Sequence, residues 1–217
     1  MATSALTAFL PYVSPEAKDC PTAIMKQAIL KACIRFCVVS HYWREQHADI
    51  VTVGNIKDYT LTAPTGGQIE TVLEPILHNN IQVWQRTRKW MNDNRYAWTT
   101  NDGQTAEFFI VDTLGTLRLY PYPTAGSQGT LSDIWMIVKP TPSATTVPAA
   151  LFNEFYETIA KGALSYLMLM SNKKWSDPHT GEMYRIEFEA MCSTAKNKAL
   201  SGFKTEDRNR KVKGHYF

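Results

Sequence analysis

The chain has 217 residues, 44% hydrophobic and 20% charged, a balance that excludes a disordered chain and supplies a core without staples. Its net charge of +3 is too slight to designate nucleic acid or a membrane as the partner. No apolar run approaches the roughly 20 residues that cross a bilayer. The N-terminal MATSALTAFLPYVSPEAKDCP also lacks the basic and long apolar regions of a signal peptide. A protein made in a cytosol, and kept there or built into a particle there, is expected.

Residues 1–21 carry Pro11, Pro15 and Pro21 around a short apolar patch, and read as an extended arm or a helical turn that packs on something. From Thr22 to about His47, Ile24, Ala28, Ile29, Ala32, Cys33, Phe36 and Cys37 recur at helical spacing, as in the core-facing stripe of a bundle. At Asp49 the period changes to two. DIVTVG, KDYTLTAP and QIETV read as strands, with Pro64-Thr65-Gly66-Gly67 as a turn and Pro75 as an edge or bulge mark. QRTRKWMNDN reads as a loop or helical turn. RYAWTT, AEFFIVD, TLRLYPYP and LSDIWMIVKPTP continue the strands, and Asp102-Gly103 reads as a turn. In the hairpin from Thr105 to Thr124, Phe108, Ile110 and Asp112 share a face. Leu117 and Leu119 alternate with Arg118 and Tyr120 beyond a turn at Gly115. Seven or eight short strands spaced this way suit a sandwich or barrel.

Helical spacing returns after Pro148, with Leu151, Phe155, Ile159, Ala163, Leu164 and Leu167 as the stripe. Gly162-Ala163 is a small pair that lets another helix approach. A third helix is expected from Glu182 to about Ser201, with Thr180 as its cap and Phe188, Cys192, Ala195 and Ala199 inside. The last stretch, 203–217, holds Lys204, Arg208, Arg210, Lys211 and Lys213 against Glu206 and Asp207. This surplus equals the charge of the whole chain. The segment ends in His215, Tyr216 and Phe217 and has too few apolar residues for a core. The expected fold is therefore α+β. A bundle of about three helices (22–48 and 148–202) carries an inserted antiparallel β-sandwich or barrel-like domain (49–147), an arm (1–21) and an extended C-terminal tail (203–217).

Chemistry-bearing patterns are sparse. Cys20, Cys33, Cys37 and Cys192 show no metal spacing and read as small buried hydrophobes in a reducing cytosol. The five histidines form no ligand motif, and His41 with Glu45 reads as a solvated i,i+4 helix pair. There is no nucleophile elbow, phosphate loop or dinucleotide fingerprint. Nothing fixes the spacing of Asp93, Asp102 and Asp112 as an acid pair. The anomaly is Trp84, Arg86, Arg88, Lys89, Trp90, Arg95, Tyr96 and Trp98. Cations interleaved with aromatics can stack bases and hold phosphates, form cation–π pairs at a protein interface, or simply pack at the surface.

Three segments in a fixed order carry a resemblance: the hairpin Gly115 to Pro123 (GTLRLYPYP), the strand Ile134 to Pro140, and the helix with Gly162-Ala163-Leu164 and Leu167. Together they resemble the head-to-tail adaptor (connector) proteins of tailed bacteriophages, which dock under the portal. The likeness covers about Thr22 to Gly202; the aromatic-basic stretch from Trp84 to Trp98 departs from the pattern. The resemblance implies a structural virion protein without enzyme activity or cofactor, made in the host cytoplasm and sited at the head–tail interface. It implies a ring, usually of twelve copies, bound to the portal protein above and a tail or nozzle protein below. DNA passes through its lumen without sequence specificity, and no membrane is involved. It also implies a C-terminal extension that reaches the portal, here Lys204 to Phe217. A nucleic-acid-binding module using the patch and the tail is the alternative.

Overall fold

A computed structural model of the chain describes residues 2–113 and 115–200, with Asp112 and Thr113 as backbone only. The arm is short but structured: strand β1 (Thr3–Ala5), a 3-10 turn (Leu6–Phe9) and the one-turn helix α1 (Leu10–Val13). Phe9 and Val13 are fully buried, so the arm packs into the core. Helix α2 (Thr22–Ser40) follows. It stops well before His47, because His41 adopts a left-handed conformation (φ 53°) and its N–H closes the last turn on the Cys37 carbonyl at 3.1 Å. His41 and Glu45 are therefore not helix-face neighbours. Glu45 lies in strand β2 (Arg44–Gln46) and accepts a bond from the Trp43 indole at 3.0 Å.

The β-region continues with β3 (Ile50–Val53), β4 (Asp58–Thr60), β5 (Gly67–Val72), β6 (Ile76–His78) and β7 (Ile81–Gln85). Asn79 and Asn80, both at positive φ, make the two-residue turn between β6 and β7, which puts His78 opposite Ile81. Helix α3 (Arg88–Asn94) precedes β8 (Asp102–Gly103), β9 (Phe108–Thr113), β10 (Thr116–Tyr120) and β11 (Tyr122–Pro123). RYAWTT is not a strand. Its residues form turns built on Ala97 (φ 51°), whose carbonyl accepts the Thr100 N–H and hydroxyl, each at 2.9 Å. Asp102-Gly103 is not a turn but a two-residue strand pairing with β11. The expected final strand is two, β12 (Gln128–Ser132) and β13 (Trp135–Pro140), separated where Asp133 takes a positive φ. Strand β14 (Thr146–Pro148) returns to pair with β1.

Seven strands form one sheet in the order β3-β12-β6-β7-β9-β10-β4. It curls into a nearly closed barrel. The edges β3 and β4 are joined not by a ladder but by the Tyr59 hydroxyl, which meets the Val53 N–H at 3.3 Å and donates to the Ile56 carbonyl at 3.0 Å. The sheet is not wholly antiparallel. β7 and β9 run parallel, since α3 and the turns after it act as a crossover. A second sheet, β2-β13-β5, takes β2 from before the barrel strands, β5 from among them and β13 from after them, and packs through β13 on α2.

Helices α4 (Ala149–Met168) and α5 (Pro178–Leu200) complete the described residues. There are five α-helices among the described residues rather than about three. The long α2, α4 and α5 pack on one another, while α1 and α3 are short. Gly162 permits close packing of the three: a Cβ there would lie 2.7 Å from the Phe188 ring of α5 and 3.0 Å from Ala32 of α2. The α5 cap is Asp177, not Thr180. The Asp177 carboxylate accepts the Thr180 N–H at 3.2 Å and its hydroxyl at 2.6 Å, which lowers the Asp177 pKa. One hydrophobic cluster runs through the helices and the barrel interior, from Phe36 and Leu164 to Phe109, Leu117 and Leu131.

Candidate functional site

The aromatic-basic stretch sits on the outer face of the hairpin of β9 and β10. Strand alternation turns Phe109, Leu117 and Leu119 into the barrel and Phe108, Ile110 and Tyr120 outward. An outward apolar row of this size needs cover. The chain provides it with α3: Met91 is fully buried and Trp98 is 6% exposed, and both pack with Ile110 and Tyr120 in a second, separate hydrophobic cluster. Thr87 starts the helix by accepting the Trp90 N–H at 3.1 Å, and the Trp98 indole is fixed by a 2.7 Å bond to Asn92.

The cations are arranged around this cover. The Arg86 guanidinium lies 5.2 Å from the Trp90 ring and 5.1 Å from Phe108, which Arg95 approaches at 5.5 Å. Arg88 sits 5.8 Å from Trp98. Trp90 meets Phe108 edge-on with centroids 5.3 Å apart. Arg95 also pairs with Glu107 at 3.4 Å and Lys89 with Asp93 at 2.8 Å. Seven of the eight patch residues thus have partners within the chain or lie on the sheet: Trp84, in β7, is 41% exposed beside Phe108. Tyr96 is different. It is 97% exposed at the tip of the loop that Trp98 anchors.

Chemically, the patch is a satellite core capped by guanidinium groups. The Trp90 and Trp98 rings are engaged by protein, whereas Trp84 and Tyr96 keep exposed ring surface. The structure brings Arg86, Trp90 and Arg95 around Phe108 and sets Arg88 over Trp98; sequence spacing missed Phe108 because it belongs to a strand ten or more residues further on. Lys204, Arg208, Arg210, Lys211, Lys213, His215, Tyr216 and Phe217 lie outside the described residues.

Compared with known proteins, the chain matches no protein-family model and no curated protein.

A second constellation had no sequence signal. Tyr12 of α1, Glu16 just after it, Glu157 and Lys161 of α4, and Tyr184 of α5 line a groove of about 170 Å³ on the helical side. Tyr184 donates a short hydrogen bond to Glu16, and Tyr156 donates to Glu157 at 3.0 Å. Lys161 in the same wall is matched by Glu187 at 2.7 Å. Three segments up to 172 positions apart meet here, so no local pattern could have marked it.

Inside the barrel, His78 is buried between Thr52 and the backbone of Ala106. The Ala106 N–H donates to Nδ1 at 3.0 Å, so Nε2 carries the proton and donates to the Thr52 hydroxyl at 3.2 Å. Gly129 leaves room for the ring, since a Cβ there would fall 2.6 Å from Nε2. Burial lowers the His78 pKa and keeps the ring neutral. This is a structural histidine. Among the described residues, no group of three or more His, Cys, Asp or Glu stands together as a metal site, and no helix is long and apolar enough to cross a membrane.

Proposed function

We propose that the protein is a structural adaptor of a tailed bacteriophage, assembling as a ring beneath the portal and joining it to the tail while DNA passes through. The observation that carries this reading is the order of three segments: the hairpin ending in Leu-Tyr-Pro-Tyr-Pro, the strand Ile134 to Pro140, and the Gly162-Ala163-Leu164 helix. The placement of a barrel between α2 and α4 in chain order supports it, as does the basic, aromatic-ended tail after α5. The reading assigns no catalytic step. Domain limits of 22–48 with 148–202 for the bundle and 49–147 for the insertion belong to the same proposal. So do a ring of twelve copies, a tail partner below and a virion location.

The tail residues Lys204 to Phe217 are the portal contact in this reading, with Tyr216 and Phe217 as apolar anchors. Deleting residues 203–217 is expected to leave a folded chain that no longer associates with portal rings in a mass measurement of the mixture. Association at wild-type level sinks the assignment. The folded patch needs a careful choice of variant. Arg86→Glu would strip a guanidinium from two rings, so a loss of assembly could follow from a loosened fold. Lys89 and Tyr96, exposed and peripheral, probe the surface itself.

The nucleic-acid-binding alternative predicts that the free chain binds DNA with a steep log–log salt dependence. The engagement of Trp90 and Trp98 within the fold argues against base stacking on those two rings, which leaves Trp84 and Tyr96 as the rings to substitute in that test.

A further inference from the structure

Five glutamates lie on the long helices α4 and α5, and one, Glu16, lies beside them on the arm. Four have a cation: Glu154 meets Lys198, Glu182 meets Arg185, Glu187 meets Lys161 and Glu189 meets Arg35. Among the described residues, Glu16 and Glu157 meet no Lys or Arg. Each is instead held by a tyrosine hydroxyl, and the two face the same groove. The groove's walls add ring surface: Tyr12 is 43% exposed, and its ring centroid lies 4.5 Å from that of Tyr156. Tyr184 remains a phenol, its pKa raised to about 12 first by the bond to Glu16. Carboxylates fixed by phenols, beside accessible rings and in surplus over the local cations, are the chemistry that takes a guanidinium or ammonium group.

We propose that this groove holds the basic segment Arg208–Lys213 of the same chain. Two facts select that occupant. The chain's surplus of positive charge resides in residues 203–217, so the complement of the unpaired carboxylates is carried by the chain itself. The reach also fits. Tyr184 lies at the groove and Leu200 ends α5, sixteen residues of helix or about 24 Å away. Eight residues of extended chain span roughly 26–29 Å. A tail doubling back from Leu200 thus reaches the groove at Arg208, whereas Lys204, four residues out, falls short at about 14 Å.

The proposal does not rest on the adaptor reading; it needs only the groove and the tail. If both hold, a partner that takes the tail must compete with the groove, and the free chain keeps its cations covered until that partner is present.

Zero-length carboxyl–amine cross-linking of the full-length chain tests it. The expected product is a link from Glu16 or Glu157 to Lys211 or Lys213 in the monomer band, with Lys204 unlinked. No such link, or links found only in the dimer band, overturns the assignment. A second readout avoids the trivial loss of the reactive carboxyl. In Glu16→Gln/Glu157→Gln the amides still accept the tyrosine bonds, so the helices stay packed. Trypsin cleavage after Arg208 and Arg210 at low salt is then expected to speed up about tenfold, the equivalent of roughly 1.4 kcal/mol of lost contact. Equal cleavage rates in wild type and variant overturn the proposal.

Discussion

At the scale of single residues, two positions show how tightly side chains are specified. At Gly162 any Cβ would crowd Phe188 and Ala32, so a larger residue fits only if a neighbour shifts. Alanine would gain about 1 kcal/mol of helix propensity, but its methyl would displace a buried aromatic ring, and overpacking costs about 1–3 kcal/mol. Gly162→Ala is expected to be neutral to destabilising by up to about 2 kcal/mol in urea denaturation, and a gain in stability would contradict the packing. His78 makes a pH-dependent contribution. Its folded-state pKa lies below the usual 6.5, so as pH falls through 6.5 the unfolded chain takes up a proton that the folded chain refuses. Stability is full above 6.5 and declines towards the lower folded-state pKa. His41, also lowered by burial and by nearby Lys196 and Arg44, adds in the same direction. The slope of unfolding free energy between pH 6.5 and 5 is expected to be positive and to shrink in His78→Gln, whatever that variant's absolute stability. The pairing of His78 with Thr52 was not legible in the sequence, since 26 residues separate two members of different strands.

At the scale of elements, α3 is the clearest unit. It is a lid seven residues long whose energetics rest on Met91 and Trp98 rather than on helix propensity. Trp98→Ala removes a buried indole and its bond to Asn92. The expected result is a local loss of order of about 3 kcal/mol, visible as faster amide exchange from Arg88 to Thr100 and in the outer face of β9. Amides of α2 and α4 should keep their protection, because the lid belongs to the second hydrophobic cluster and they belong to the first. Long periodic segments were the legible part: the bodies of α2, α4 and α5 follow their apolar spacing, and the hairpin of β9 and β10 follows its alternation. The ends were less so. The stop at His41 depends on a left-handed residue that nothing in its neighbourhood announces. The Asn79-Asn80 turn, by contrast, had a readable signal in its two asparagines, which tolerate the required φ better than most residues. RYAWTT shows the opposite failure. Its aromatic and β-branched residues suit a strand, yet Trp98 is spent on covering the hairpin and the backbone turns beneath it.

At the scale of the whole molecule, a barrel inserted between helices does not imply an independent core. β13 packs on α2 while pairing with β2 and β5, and the main cluster extends from helix α4 to the barrel interior. Bundle and barrel are expected to unfold together, with far-ultraviolet dichroism and tryptophan fluorescence tracing coincident urea transitions. Separate midpoints would show that the shared cluster couples them too weakly to act as one. The groove beside Tyr184 exists only at this scale, since the arm, α4 and α5 each bring one side of it.

The barrel's missing ladder has a mechanical meaning. Every other neighbouring pair of its strands shares a backbone ladder, short at β6–β12 and β7–β9, whereas β3 and β4 share none and are joined by the connection 54–57 and the Tyr59 hydroxyl. Compliance is therefore concentrated along a single line. A force applied to this sheet is expected to open that line before it distorts the longer ladders, whose register would stay intact.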